Sequence, residues 1–171
     1  IGFTHGLFNV ELFFEPATER ITIIEINPRM AGQFSDLYER VDGRSLWSLE
    51  LDLALGKTPE FPHRQGAFGS AASFVFREFG DAVKQAPGTE QQAWLTETYP
   101  DARLFLDLKH GTSRARETKW LGNYRYALVH MGGTDHDDMM ARFANVCEHL
   151  DFDGKGLREA PSRWQILRRS L

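Results

Sequence analysis

The stretch "TIIEINPR", residues 22–29, constrains this chain more than any other. A run rich in β-branched residues from Ile21 to Ile26 favours a strand. Pro28 has no N–H to give a ladder, so the strand must end beside it. Yet Glu25, Asn27 and Arg29 stand at every second position. Side chains two apart share a face, so Glu25 and Asn27 project together, and Ile24 and Ile26 are expected to point into the core.

The preceding run, Leu7 to Glu15, also reads as a strand, with Val10, Leu12 and Phe14 on one face and Asn9, Glu11 and Phe13 on the other. "PATER" between the two is a polar turn opened by Pro16, which predicts an antiparallel hairpin. In that hairpin Glu11 can lie across from the Glu25–Asn27 face. Two carboxylates and an amide oxygen make an oxygen-only set suited to Mg2+ or Mn2+ beside a nucleotide polyphosphate, because magnesium takes its remaining ligands from water and phosphate. Arg29 can offer a planar fork to a phosphate. The spacing alone fits a plain solvated sheet face equally well.

Beyond Pro28, "RMAGQFSDLYERVDG" predicts a turn at Gly32 and a short helix. Ser45 is expected to cap a helix over "LWSLELDLAL", which Gly56 and Pro59 stop. Strands are expected over Ala67–Glu78, "ARLFLDLKHG" and "NYRYALVHMGG", with a polar stretch around "KQAPGTEQQ". Thr134 is expected to cap a last helix, whose Met139, Phe143, Val146, Cys147 and Leu150 recur at helical spacing. Asp135, Asp137 and Asp138 fall in its first turn, where the helix dipole favours negative charge. The sum is an α+β chain divided as 1–60, 61–153 and a basic tail over 154–171, where five cationic residues face one Glu.

Composition excludes several classes. A net charge of −4 argues against a nucleic-acid partner, and no stretch reaches the roughly 20 apolar residues of a membrane span. One cysteine, Cys147, permits neither an internal disulfide framework nor a thiolate-rich zinc site, so a cytoplasmic setting is expected. The chain starts at Ile1 and enters a strand almost at once, so it is expected to be a piece of something longer. A homo-oligomer is compatible with the sequence but not indicated by it.

"HGLFNVELFF" followed by "TIIEINPRMAG" resembles the magnesium-binding end of the ATP-grasp superfamily, which includes biotin carboxylase, carbamoyl-phosphate synthase, D-alanine–D-alanine ligase and the L-amino-acid ligases. The family pattern is an acid on one strand and E-x-N on the next, often continuing to Arg. The helix "SLWSLELDLALGKTP" is similar to the segment that follows this motif, and residues 122–154 look like the small closing lobe of the biotin carboxylase type. The resemblance implies an α+β ATP-grasp lobe fragment followed by a small subdomain. It implies Glu11 and Glu25 as bridging metal ligands, Asn27 as ligand to a second metal, and Arg29 steadying the transferred phosphate. His5, just before the metal strand, could touch substrate or nucleotide, and "MAGQF" could form a loop for a substrate carboxylate.

The implied activity belongs to the parent. ATP phosphorylates a small carboxylate, and an amine or thiol then displaces phosphate from the acyl phosphate. The Lys residues and Gly-rich lid of the family's first lobe are not found here, so the isolated chain is expected to be inactive. A biotin carboxylase-like carboxylase is one alternative, and a catalytically dead binding or assembly module is another. Elsewhere, "TDHDD" is read as helix capping rather than a metal set. Ser73 lacks a nucleophile elbow and Cys147 faces an apolar helix side, so neither is a nucleophile.

Overall fold

Alternation of apolar and polar residues, broken by Pro16 and Pro28, produces the first two strands. A computed structural model describes residues 2–79, 85–108 and 123–152. Here β1 (Asn9–Glu15) pairs antiparallel with β2 (Arg20–Asn27). In the turn, Thr18 N donates to Glu15 O (3.2 Å) and Thr18 Oγ1 donates to the Glu15 carboxylate (2.6 Å). Glu19 completes it with a left-handed φ of 54°.

The hairpin carries a bulge. Pairing runs from Glu15↔Arg20 to Leu12↔Ile23, and resumes with Glu11↔Glu25, Val10↔Ile26 and Asn9↔Asn27, so Ile24 is the extra residue. Its insertion re-phases the alternation. Ile21, Ile23 and Ile26, spaced by two and then three, therefore fall opposite Phe14, Leu12 and Val10, keeping one face apolar. Ile24 and Ile26 do not enter a core as expected: they are 54% and 50% exposed. Two strands alone have no second layer to bury their apolar side.

After Asn27 the chain turns at once, with Arg29 N donating to Asn27 O (2.8 Å). A short 3-10 turn (Gly32–Phe34) leads into α1 (Ser35–Asp42), closed by Gly43 at φ 85°. Ser45 caps α2 (Leu46–Ala54) as expected, its side chain accepting from Ser48 N (3.3 Å). The Arg44 guanidinium bonds the Asp52 carboxylate, which holds that carboxyl below the usual range. Arg44 also donates to Glu60 O, tying the segment after α2 back to its start.

The chain divides into two compact units between Ala67 and Phe68. In the second, β3 (Ser70–Glu78), β4 (Arg103–Leu106) and β5 (Tyr124–Gly133) form an antiparallel sheet of order β3-β5-β4. β5 is central and buried along most of its length. The last helix, α4 (His136–His149), lays Met139, Phe143, Val146 and Cys147 on this sheet. Phe143 stacks on Phe74 with ring centroids 3.6 Å apart, and Phe76 and Val129 complete the centre of the core. A Cβ on Gly133 would lie 2.4 Å from Met139 N, so the close seating of α4 on β5 requires glycine there. The described residues are thus an α+β arrangement, as expected.

Two expectations fail in this unit. The polar stretch around "KQAPGTEQQ" contains the start of a helix, α3 (Thr89–Thr98). Gly88 N donates to Gln91 Oε1 (2.7 Å), Gln91 donates to His149 O (2.9 Å), and Trp94 stacks on His149, so tertiary contacts hold a helix with little apolar periodicity. The cap of α4 is Asp135, which accepts from Asp138 N (2.9 Å). Thr134 instead donates its N–H to the Asp138 carboxylate (2.7 Å). Thr134 follows directly on β5 and spends both its N–H and its hydroxyl on the Asp138 carboxylate, which leaves the cap to Asp135. The basic tail expected over 154–171 lies outside the described residues.

Candidate functional site

The bulge decides what the polar face of the hairpin presents. Glu11 and Glu25 are paired directly across the ladder, with Asn9 and Asn27 paired two residues further along. Directly opposed residues bring Cβ atoms to about 4.5–5.5 Å. Glu11, Glu25 and Asn27 therefore share one face. Both carboxylates are exposed and form no hydrogen bond or ion pair among the described residues. Like charges set directly opposite destabilise a hairpin, so this pair is tolerated at a cost that a cation would remove.

The amide is held differently. Asn9 Nδ2 donates to Arg29 O (2.9 Å), and Asn27 Nδ2 donates to Asn9 Oδ1 (3.2 Å). Asn27 thereby uses its nitrogen for the protein and leaves its oxygen without a described partner. The Arg29 guanidinium donates to Met30 O (3.3 Å) and makes no pair with either carboxylate. It follows the turn that ends β2, exposed and able to meet an anion. His5 is not joined to this group: its Nδ1 lies 3.4 Å from Thr4 Oγ1, and no hydrogen bond links it to Glu11, Glu25 or Asn27.

Among the described residues, no three His, Cys, Asp or Glu side chains come together as a metal cluster. The hairpin supplies two carboxylates and an amide, an all-oxygen set that fits a hard ion completing its shell with water and phosphate, and does not fit zinc. In the acidic run, Asp135 and Asp138 are taken up at the helix start, and Asp137 lies 3.2 Å from the His136 ring nitrogen. Cys147 is buried and its thiol is pushed up to about 11 by that burial, so it is no nucleophile near neutrality.

Beside the hairpin, an apolar cavity of about 290 Å³ is lined by Leu7, Phe8, Met30, Tyr38 and Phe61, among others, with Asn9 at its polar edge. It can hold an apolar group of a few carbons next to the carboxylate face. Sequence reasoning missed Asn9, although its place two residues before Glu11 put it on the same strand face. No helix among the described residues is long and apolar enough to cross a membrane.

No protein-family model matches the chain, and no solved structure matches it. Over 64 residues it is 45% identical to carnosine synthase 1 from Gallus gallus. That stretch is 37% of this chain and 7% of the chicken protein, so the chain spans only a small part of the curated relative it matches.

Proposed function

We propose that this chain is the closing part of an ATP-grasp-like lobe in an ATP-dependent ligase that joins a carboxylate to an amine or thiol through an acyl phosphate. Three lines support the reading: the resemblance over residues 5–32, the partial likeness to carnosine synthase 1, and the register of the hairpin. The single observation that carries it is Glu11 opposite Glu25 with Asn27 on the same face. A solvated face that served no purpose would gain by replacing one of the two acids with Lys or Thr.

In this reading Glu11, Glu25 and Asn27 would hold Mg2+ (or Mn2+), which when bound neutralises phosphate charge and aligns the reacting oxygens. Arg29 meets the phosphate with its planar fork. The carboxylate oxygen of the substrate attacks the terminal phosphorus of ATP, ADP leaves, and the nucleophile then displaces inorganic phosphate from the acyl carbon. No side chain of this chain forms a covalent bond, so its contribution is positioning and electrostatics. His5 would act only at the edge of the site, on substrate or nucleotide. The isolated chain, lacking a partner lobe to grip ATP, should not turn over.

The test uses the polypeptide in which these residues adjoin a nucleotide-gripping lobe. Hydroxylamine intercepts an acyl phosphate as a hydroxamate, so ATP-dependent hydroxamate formation with a small carboxylate supports the ligase reading. Phosphate release that requires bicarbonate instead indicates the biotin carboxylase-like alternative. Failure of every carboxylate and of bicarbonate to trigger phosphate release would leave the binding or assembly module.

A further inference from the structure

We infer that Asn9 is a positioning residue that turns the Asn27 oxygen toward the metal, an inference that rests on the metal reading above. Arg29 O is a backbone carbonyl and can only accept, so the Asn9 group 2.9 Å from it must be the NH2. That leaves Asn9 Oδ1 facing Asn27, and this oxygen too can only accept. Asn27 must therefore present its own NH2 across the 3.2 Å contact, which turns its Oδ1 the other way.

The relay begins in the backbone, at a residue whose position is itself set by the turn over Pro28, where Arg29 N donates to Asn27 O (2.8 Å). Asn27 sits on the Glu11–Glu25 face by register, so the oxygen so released is offered to the two carboxylates' cation. Without Asn9, the amide of Asn27 is free to rotate and can present a donor, which repels a cation. Support of this kind for a metal ligand typically changes affinity by about 10–100-fold.

The experiment titrates the 171-residue chain with Mn2+ alone, read by water-proton relaxation, with circular dichroism as a check on folding. Asn9→Leu, close in shape but unable to donate or accept, should raise the Mn2+ dissociation constant about tenfold. Asn27→Asp needs no orienting partner, because a carboxylate shows an oxygen on either side. In that background Asn9→Leu should cost nothing. Asn9→Asp, which keeps the acceptor for Asn27, should bind Mn2+ at least as tightly as the parent chain, and so tests the relay even if Asn9→Leu does not fold.

An equal loss from Asn9→Leu in both backgrounds, no loss in either, or weakened binding by Asn9→Asp would overturn the inference. Glu11→Gln and Glu25→Gln separate the metal site from the positioning of Asn27. Binding that depends on both acids but ignores Asn9 defeats only the positioning role. A parent chain that binds no Mn2+, or binds it independently of both acids, defeats the metal reading and this inference with it.

Discussion

Replacing Glu25 by Lys should strengthen the hairpin and abolish the cation binding proposed for it. Glu25 lies directly across from Glu11, and neither has another partner among the described residues. Two unit charges about 6 Å apart in water repel by about 0.7 kcal/mol. At physiological salt, with a screening length of about 8 Å, roughly half of this survives. Reversing one sign turns repulsion into an attraction of similar size, a swing of about 0.6 kcal/mol, within the range for exposed pairs. Amide hydrogen exchange in β1 and β2, measured with EDTA present, should then slow about threefold, because local protection follows the free energy of opening. In 1 M salt the screening length falls to about 3 Å and the difference should shrink to about 0.2 kcal/mol. The same variant should weaken Mn2+ binding at least tenfold, about 1.4 kcal/mol. Unchanged exchange would refute the facing of the two acids. Unchanged Mn2+ affinity would refute their role as ligands, whatever the exchange data say.

Two further outcomes concern the second unit. Phe143→Ala removes a ring that is 1% exposed and stacked on Phe74, and should destabilise the unit by about 3–5 kcal/mol, read from urea unfolding with Trp94 fluorescence; a loss below about 1 kcal/mol would mean the stack is not the centre of this core. Cys147 should resist thiol reagents at pH 8 in the folded chain and react once unfolded, and burial sets the sign of its pH effect. Its folded value, about 11, lies above the ordinary 9.0, so its contribution is complete below about 9 and is lost as pH rises from 9 to 11. Rapid labelling of the native chain at pH 8 would contradict this.

Much of the fold was legible because it rests on local chemistry. Pro16 and Pro28 bound the strands, Ser45 caps its helix, and helical spacing marks the buried face of α4. What escaped were features held by distant partners. α3 has too little apolar periodicity to announce itself and depends on Gln91 and Trp94 meeting His149, far along the chain. Thr134 and Asp135 are both competent caps, and the local pattern could not say which one would stand at the helix start. Residue type marks Ile24 and Ile26 for burial, yet both are exposed, because burial itself needs a covering layer that two strands do not supply.

The candidate site divides the same way. By itself, the sequence determined that Glu11, Glu25 and Asn27 lie on extended segments, at alternate positions, next to a strand-ending proline; these follow from side-chain type and a period of two. Only the tertiary structure decided that Glu11 meets Glu25, and that Asn9 reaches both Asn27 and Arg29 O. The physical reason is register: a slip of one residue moves a whole strand to the other face. The bulge at Ile24 performs such a shift midway along the hairpin, keeping the isoleucines together on one side and bringing the two acids face to face on the other.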